Sequence, residues 1–475
     1  MTGVDLIVIG AGPAGMAAAA EAAGLGLSVT VLDEQPAAGG QIYRAVTQGG
    51  ALRGAILGQD YLDGAGLAQA MLASGARHVT GAVVWNIEPD DQGITVTWSQ
   101  DGRAAQMRAA RLILATGALE RPVPIPGWTL PGVMTAGAGQ ILLKASGIVA
   151  QRAVLAGSGP LLYLLAAQMV RAGTPPLALV ETQSFGDTVR AMPQLVAGLR
   201  GWRTLLKGLG LLAELRRAGI RRVTAARDLA VEGQDRATAL RFNSGGRTQR
   251  IACDTILLHQ GVVPNTQASR ALRLDHDWIA AQHSFAPRTD AWGQTSHPGI
   301  FVAGDGAGIA GAVAAAEAGR LAAIQVAHQL GRIDAGKRDA RAQGPAGRLA
   351  AERALRPFLD TAYPPAAQVL APADDTIICR CEEVTAGQVR GWAKMGCTGP
   401  NQTKAFGRVG MGPCQGRYCG LSVTALLAAA QAMPPAEVGA YRIRPPLKPV
   451  TLGEVASLDA AGRRAEPAQD RGAAP

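Results

Sequence analysis

The sequence predicts an α/β protein that ends in a small cysteine-bearing domain, and three stretches of the chain carry this prediction. Two of them run as an apolar strand, a glycine-rich turn, a helix and a second strand, at residues 5–32 and 153–180. The third stretch, residues 379–419, holds five of the six cysteines. Because a strand–turn–helix unit of this kind is typical of dinucleotide-binding domains, we expect two Rossmann-like domains in one chain.

Composition and charge limit the classes of protein to which the chain can belong. Its 475 residues suffice for about three domains, and 48% hydrophobic with 17% charged residues suit a globular protein. The formal net charge of +10 would suit nucleic acid, but only 4% of residues are aromatic and no known nucleic-acid motif occurs. Nucleic acid is therefore not expected as a partner. The basic stretch Arg216–Arg222 is a solvated helix end or a docking face for an acidic protein.

The start of the chain and its apolar runs predict a cytoplasmic protein. Residues 1–5 lead directly into the first strand, without the basic and apolar regions of a secretory signal. The longest apolar run, at residues 160–170, is shorter than the about 20 residues that a membrane-spanning helix needs. No transmembrane segment is expected.

The first glycine-rich turn predicts a dinucleotide site. Gly10 permits the sharp turn, Gly12 lets the backbone approach a pyrophosphate, and Gly15 lets the helix pack closely on the strand. Asp33 ends the next strand, where a carboxylate accepts the ribose hydroxyls of a dinucleotide.

Further elements indicate that this dinucleotide is FAD. The strand Leu112–Gly117 ends in a small turn at Thr116 and Gly117, and Gly304 with Asp305 ends a late strand that returns to the first domain. Together with the Gly10 turn and the segment around Gly40 and Gln41, these elements resemble the two-dinucleotide-domain flavoproteins that include glutathione reductase. The resemblance spans about residues 1–330. Since the first 252 residues contain no cysteine, thiol–disulfide chemistry at the usual position beside the flavin is excluded.

The second glycine-rich turn is less regular than the first. Gly157 and Gly159 keep the first two glycine positions, but Leu162 stands at the third. Glu181 ends the following strand and favours a free ribose 2′-hydroxyl, which argues against NADP. The second site is expected to hold NAD or another adenine nucleotide such as ATP, with a nucleotide-free structural domain as the alternative.

The cysteines predict a metal site. Four of them form two pairs separated by 32 residues: Cys379 with Cys381, and Cys414 with Cys419. Four converging thiolates suit either a 2Fe-2S cluster or structural zinc, although one residue between paired cysteines is unusual for zinc. The segment 377–421 resembles the BFD-type 2Fe-2S domain. Cys397 and Cys253 have no place in this pattern and are expected to be core residues, and the six histidines form no metal or triad spacing.

These features predict five parts of the chain. They are an FAD-binding domain (1–140 and 268–330), a second nucleotide-binding domain (141–267), a linker with a helix at 345–358 (331–373), a BFD-type 2Fe-2S domain (374–446) and a loosely ordered tail (447–475).

Four sequence strings carry a wider resemblance, to the α-type subunits of opine oxidases, hydrogen cyanide synthase and D-hydroxyproline or proline dehydrogenase complexes. They are Asp33–Pro36, Gly39–Arg44, Pro131–Gly137 and Gly410–Gly420. The resemblance implies that an amine-oxidase-like FAD subunit oxidises the amino acid and that a small ferredoxin-like subunit completes the complex. This chain would pass electrons through FAD and a 2Fe-2S cluster and carry no catalytic residue of its own. D-hydroxyproline or a related imino acid is the first expected substrate, then opines, then glycine.

Two other functions remain open at this stage. Glu181 motivates a stand-alone NADH-dependent acceptor reductase. The chain could also serve as a nucleotide-stabilised scaffold whose redox centres lie off the electron path.

Overall fold

The computed structural model describes residues 3–48, 51–198 and 201–463. Its strands, in chain order, are β1 (Gly3–Ile9), β2 (Val29–Asp33), β3 (Arg77–Thr80), β4 (Val83–Asp90), β5 (Gly93–Gln100), β6 (Arg103–Leu114), β7 (Ala118–Glu120), β8 (Val133–Thr135), β9 (Ala153–Ser158), β10 (Ala178–Glu181), β11 (Arg222–Val223), β12 (Arg227–Gly233), β13 (Ala237–Ser244), β14 (Arg247–Ala252), β15 (Thr255–Gln260), β16 (Val262–Pro264), β17 (His276–Ile279), β18 (Ser284–Pro287), β19 (Ile300–Val302), β20 (Ile377–Cys379) and β21 (Val384–Thr385).

The helices are α1 (Pro13–Gly24), α2 (Ala51–Leu57), α3 (Gln59–Leu62), α4 (Gly64–Ala73), α5 (Ala136–Ser146), α6 (Pro160–Arg171), α7 (Phe185–Ala191), α8 (Leu195–Gly198), α9 (Trp202–Arg217), α10 (Gln267–Ala271), α11 (Ala312–Gln329), α12 (Ala335–Ala354), α13 (Arg356–Ala362), α14 (Ala367–Leu370), α15 (Ala386–Lys394), α16 (Pro400–Gly407), α17 (Gly420–Gln431), α18 (Pro435–Val438) and α19 (Leu452–Arg463). Within these described ranges, no helix is long and apolar enough to cross a membrane.

The first sheet positions the first glycine-rich turn. Its strand order is β3-β2-β1-β6-β5-β4, and β19 pairs with β6. Strands β3, β2, β1, β6 and β19 are parallel, whereas β5 and β4 continue the sheet antiparallel. Leu6, Ile7 and Val8 of β1 are fully buried, as expected for a parallel strand covered on both faces. Since β19 comes almost 190 residues after β6, two separated stretches of chain build this sheet.

The second sheet is entirely parallel, with the order β11-β10-β9-β15-β8. Because β8 pairs with β15, the second nucleotide unit begins before residue 133, and the expected boundary at residue 141 is corrected. Helix α5 follows β8 directly and contacts α6 of the same unit. A separate antiparallel sheet, β12-β13-β14, and the antiparallel pair β7–β16 complete this half.

Residues 331–373, expected to be a linker, are largely helical. Helix α12 begins at Ala335, ten residues before the predicted helix. Its buried side chains include Ala342 and Leu349, which pack with Leu321 of α11. Arg348 also pairs with Glu317 at 2.8 Å. The Arg- and Ala-rich composition predicted a linker because so few residues of this helix are large and apolar.

The expected tail, residues 447–475, is ordered in the part that the structure describes. The Leu447 amide donates to the Trp85 carbonyl at 2.7 Å. Helix α19 starts at a cap, where Thr451 Oγ1 accepts from the Glu454 amide, and Ser457 Oγ accepts from the Ala104 amide at 2.8 Å. These contacts fix the segment against the first sheet. Residues 464–475 lie outside the described residues.

Candidate functional site

The first glycine-rich turn has the close contacts that its spacing predicts. Gly10 has φ of +103°, and a side chain on it would place Cβ 2.5 Å from the Ala115 carbonyl oxygen. A Cβ on Gly15 would overlap the Gly10 carbonyl oxygen. Gly12 is the residue before α1 and lies against Gly40, whose Cβ would be 2.7 Å from the Gly12 Cα. The structure therefore brings the Gly10–Gly15 turn and the Gly40 segment together at the N-terminus of α1.

The Asp33 side chain is buried and hydrogen-bonds to backbone amides. One of its carboxylate oxygens accepts from the Ala11 amide and the other from the Gln35 amide. The side chain is buried, and burial raises the pKa of this carboxyl despite those hydrogen bonds. Both Asp33 oxygens hold the turn in place, and each keeps a further lone pair, so the contact of Asp33 with ribose hydroxyls stays a prediction.

Glu34 is a second carboxylate at the end of β2, which the sequence analysis did not single out. It follows β2 directly, its side chain is 46% exposed, and it pairs with Lys448 at 2.8 Å. It is therefore more accessible than Asp33 to a ligand at the end of β2. Asp33 and Glu34 are adjacent in the sequence, and only the structure shows that Asp33 is buried on backbone amides while Glu34 is exposed.

The segment that contains Gln41 is held by a buried lysine. Lys144 on α5 donates to the Ile42 carbonyl at 2.8 Å, to the Gln41 carbonyl at 3.4 Å and to Gln140 Oε1 at 2.9 Å. Burial, with a smaller contribution from Arg44, lowers the pKa of Lys144 to about 7. The Gln41 side chain is exposed. Lys144 therefore anchors the backbone beside the first turn.

Lys144 is expected to make stability depend on pH. Its folded-state pKa of about 7 is below the ordinary value of 10.5, so between these values the unfolded chain binds more protons than the folded one. Its contribution to the free energy of unfolding should therefore increase as pH rises from about 7 to about 10. Chemical denaturation across this range should show a smaller pH slope for Lys144→Met than for the exposed control Lys394→Met. Equal slopes would contradict the assignment.

The remaining residues predicted for the first site converge on the same place. Gly304 lies against α1, where its Cβ would be 2.9 Å from the Ala14 Cβ. Asp305 follows, and its Oδ1 accepts from the Ala310 and Gly311 amides at 2.9 and 3.0 Å, just before α11. The Gly117 carbonyl is within 3.5 Å of the position of a Cβ on Gly306.

Thr116 and Gly117 are tied to the second half of the chain. The Asn265 amide donates to the Gly117 carbonyl at 3.0 Å, and Thr116 Oγ1 donates to the Asn265 carbonyl at 3.3 Å. The loops after β6 and β19 thus meet near the glycine-rich turn after β1.

The second predicted site differs from the sequence expectation. Glu181 is fully buried and holds its own domain together: it accepts from Tyr163, from Gln183 at 2.7 Å and from the Arg222 guanidinium at 3.0 Å. This carboxylate therefore does not face a ribose, and its predicted role is corrected. An isolated sequence could not show this, because Arg222 lies 41 residues away.

A histidine occupies the space beside the second turn. A Cβ on Gly159 would lie 3.1 Å from the His259 ring, and one on Gly157 would overlap the His259 carbonyl oxygen. His259 is itself fixed by Glu120, with 2.5 Å between Nδ1 and Oε1. Gly157 makes the same kind of close approach to a neighbouring strand as Gly10, whereas Gly159 faces a histidine ring, so the nucleotide at this site stays a prediction.

The four predicted metal-ligating cysteines meet in two pairs. The Cys379 and Cys419 side chains hydrogen-bond to each other, and so do those of Cys381 and Cys414. The hydrogen bond from Cys419, joined by backbone amides, lowers the pKa of Cys379 to about 6, which favours a thiolate. Burial raises the pKa of Cys381. Cys397 is buried apart from them, with its thiol 3.6 Å from the Gly399 carbonyl oxygen.

This donor set fits a 2Fe-2S cluster better than a single ion. Over the described residues, no group of three or more His, Cys, Asp or Glu side chains is placed to hold one metal ion. A tetrahedral zinc site needs four ligands around one point, whereas a 2Fe-2S cluster takes its thiolates two to each iron. Two thiol pairs are the arrangement that such a cluster requires.

Tyr441 is a neighbour of the cysteines that the sequence did not reveal. It is buried against two glycines with positive φ, Gly410 and Gly416, where a Cβ would lie 2.5 Å from the tyrosine ring. Its hydroxyl donates to the Val409 carbonyl at 3.1 Å and also hydrogen-bonds Cys419. Gly412 packs on Cys381, since its Cβ would be 3.0 Å from the Cys381 Sγ. The glycines of this loop therefore admit a tyrosine and a cysteine.

The cysteine-bearing segment packs directly on the first nucleotide unit. One continuous apolar core includes Ile9 and Leu114 of the first sheet together with Ile378, Val423 and Leu427 of the cysteine segment. The cysteines are therefore fixed relative to the loops at the end of the first sheet.

Comparison with known proteins assigns the class. The sequence profile described as pyridine nucleotide-disulphide oxidoreductase matches residues 4–331, and the profile of the sarcosine oxidase A3 domain matches residues 374–459. The chain belongs to the pyridine nucleotide-disulphide oxidoreductase family, and it is an FAD-dependent oxidoreductase.

Relatives that match over nearly the full length show to which subunit family within this class the chain belongs. The chain is 45% identical over 469 residues to an opine oxidase subunit of Agrobacterium tumefaciens, covering 96% of this chain and 92% of the relative. It is 43% identical to the corresponding opine oxidase subunit of Rhizobium meliloti, covering 96% and 98%. It is 34% identical to hydrogen cyanide synthase subunit HcnB of Pseudomonas protegens, covering 94% and 96%. The predicted membership of this subunit family is confirmed.

A solved structure supports the fold. The L-proline dehydrogenase from P. horikoshii superposes with a TM-score of 0.69 at 18% identity, covering 96% of this chain and 79% of that chain. The fold therefore extends through the cysteine-bearing segment as well as the two nucleotide units.

Proposed function

We propose that this chain is the electron-transferring subunit of a heteromeric amino-acid or imino-acid dehydrogenase. The observation that carries the proposal is the shared apolar core, which joins two convergent cysteine pairs to the glycine-rich turn of an FAD-dependent oxidoreductase. Relatives that match over nearly the full length are subunits of an opine oxidase and of hydrogen cyanide synthase. They support a complex in which other subunits contribute to the reaction.

FAD would be held by the residues around the N-terminus of α1. Gly10, Gly12 and Gly15 would let the pyrophosphate approach the backbone amides and the positive end of the helix dipole. Glu34 would accept the ribose hydroxyls in place of the predicted Asp33. The Ala310 and Gly311 amides both donate to Oδ1 of Asp305, which leaves Oδ2 available within the described structure. Asp305 would therefore contact the ribityl chain or the pyrophosphate of FAD.

The four cysteines Cys379, Cys381, Cys414 and Cys419 would hold the 2Fe-2S cluster. Such a cluster, when bound, transfers one electron at a time and so connects a two-electron flavin with one-electron acceptors. Tyr441 and the glycines of the loop at 410–416 would exclude water from the buried Cys379 and Cys419 and donate hydrogen bonds toward sulfur, which tunes the reduction potential of such a site.

The partners would be an amine-oxidase-like FAD subunit, which binds and oxidises the amino acid, and a small ferredoxin-like subunit. D-hydroxyproline or a related imino acid is the first candidate substrate, with opines next and glycine third. The 45% identity to an opine oxidase subunit gives opines more weight than the sequence strings alone provide. NAD or ATP at the second site is not part of the proposal. The Glu181 carboxylate accepts from Arg222, and the His259 ring lies against Gly159 of the turn.

The test is reconstitution of the complex. The full chain, purified anaerobically, should contain flavin and iron, and it should co-purify with amine-oxidase-like and ferredoxin-like proteins encoded beside it. The assembled complex should reduce a dye acceptor with an imino acid or an opine, and this chain alone should not. Fast flavin bleaching of the isolated chain by NADH would instead establish the reductase alternative. Unchanged turnover of an iron-free complex would establish the scaffold.

Glu34 and Asp33 should respond differently to loss of charge. Glu34→Gln is expected to weaken FAD binding by about tenfold, since a charged hydrogen bond to the ribose is lost, while the stability of the flavin-free protein is kept. Asp33→Asn should lower the free energy of unfolding by about 1–3 kcal/mol, because a buried amide donor loses its acceptor. Flavin titration and thermal unfolding of both variants measure the two effects. Weaker FAD binding in Asp33→Asn alone would reassign the ribose contact to Asp33.

A further inference from the structure

A cleft lies between the loops that follow Gly117 and Gln260 and the cysteine-bearing segment. One wall comes from β16, α10 and β18, and the opposite wall comes from residues 416–424 and 440–443. The enclosed space of the cleft is about 60 Å³, which leaves room only for a ligand of a few heavy atoms. Its walls combine apolar side chains such as Leu119, Val263 and Ile443 with a small set of polar groups. This composition is typical of small-molecule sites.

Arg270 supplies the charge in this cleft. Its guanidinium lies 4.7 Å above the centre of the Phe285 ring, and its Nε donates to Thr266 Oγ1 at 3.1 Å. Burial lowers the pKa of Arg270 to about 10, and no carboxylate contributes to that shift. Over the part of the chain that the structure describes, Arg270 forms no ion pair. A largely buried cation without a counter-ion costs stability, which points to a role for the free guanidinium.

Two polar atoms in the same cleft have no partner. Ser284 is only 1% exposed and its Oγ makes no hydrogen bond within the described structure. The amide oxygen of Gln267 is likewise buried and unpaired. Since buried polar groups are nearly always hydrogen-bonded, these two atoms and Arg270 together define a site built for a ligand.

The charge of the cleft limits the ligand. Arg417 also lines it, but its two terminal nitrogens donate to the Cys414 and Leu447 carbonyls at 3.1 and 2.6 Å. Nearby His276 is buried beside Arg270, and both effects lower its pKa to about 4, so it is neutral near pH 7. The terminal nitrogens of Arg270 donate to no group of the described structure, and their planar fork matches a carboxylate. The unpaired Gln267 oxygen requires a donor N–H or O–H.

We propose that this cleft binds a small carboxylate with an adjacent hydroxyl or amino group, its carboxylate on Arg270 and its donor on Gln267 and Ser284. The apolar walls accommodate a short aliphatic chain. This site goes beyond the proposed function, in which the partner subunit binds the amino acid that is oxidised. A ligand here would contact both the flavoprotein half and the cysteine-bearing segment.

The experiment uses the full chain as purified with flavin and iron, with lactate as the probe. Its binding is measured by calorimetry and by the shift of the unfolding temperature, against three compounds: uncharged lactamide, propionate, which lacks the hydroxyl, and inorganic phosphate. Arg270→Met removes the charge at nearly the same size. Arg273→Met is the matched control, because Arg273 lies two residues after α10 and is exposed outside the cleft.

Lactate is expected to bind wild type and Arg273→Met alike, and to bind Arg270→Met at least about tenfold more weakly. Propionate should bind more weakly than lactate, and lactamide should not bind. Arg270→Met should also be no less stable than wild type without ligand, because it removes an unpaired buried charge. Equal binding of lactate and lactamide to wild type overturns the proposal even if the variant does not fold. Phosphate binding that matches or exceeds lactate binding, or unchanged binding to Arg270→Met, also overturns it.

Discussion

The double substitution Cys381→Ser and Cys414→Ser is expected to yield a protein that binds flavin but no iron. These two thiols form one of the two hydrogen-bonded pairs, and in the proposed function both would be ligands of the cluster. Losing an outer hydrogen bond to a metal ligand already lowers affinity by about 10–100-fold, and losing two ligands should exceed that. Iron analysis and the visible absorption spectrum of anaerobically prepared protein measure the loss. Electron delivery from the assembled complex to a one-electron acceptor should cease with it.

Cys397→Ser is the matched control. Cys397 lies in the same segment and is also buried, but it contacts the Gly399 carbonyl rather than another thiol. Its serine variant should keep its iron and lose only stability. Equal iron content in the double variant and this control would remove the four-cysteine assignment.

Gly15→Ala is expected to abolish FAD binding. The added Cβ would overlap the Gly10 carbonyl oxygen, a backbone atom that cannot move without opening the turn. Separation of α1 from β1 would displace the amides that face the pyrophosphate, and overpacking of this kind typically costs about 1–3 kcal/mol. Flavin content after purification and thermal unfolding report the two effects.

Gly24→Ala provides the comparison for that substitution. Gly24 ends the same helix, and a methyl group added to it would have no neighbouring atom within 4 Å. This variant should retain full flavin content and gain slightly in stability, because alanine is the better helix former. Flavin retained by Gly15→Ala would mean that the turn tolerates a wider separation than its contacts indicate.

The parts of the fold set by local chemistry could be predicted from the sequence. The turn at Gly10–Gly15 could be recognised because only glycine fits the contacts with Ala115 and with the Gly10 carbonyl. The helix start at Thr385 could be predicted from its capping box with Gln388, which the structure forms. The cysteine pairs could be predicted as a group, although not which thiol meets which.

Features set by distant partners could not be predicted. Glu181 ends its strand as a ribose-binding acid would, yet its carboxylate accepts hydrogen bonds from Arg222 and Tyr163. Asp33 and Glu34 are equivalent by position, and only the contact with the Ala11 amide distinguishes them. The early start of helix α12 could not be predicted for a similar reason, because its few apolar residues are buried only by the packing of α11 beside them.

The shared apolar core has a consequence for truncation and for metal loss. Since Leu114 of the first sheet and Val423 of the cysteine segment belong to one core, a chain cut at residue 373 would expose apolar surface on both fragments. The two parts should melt together as one cooperative unit, so an iron-depleted protein would also be more prone to proteolysis in its flavin-binding half.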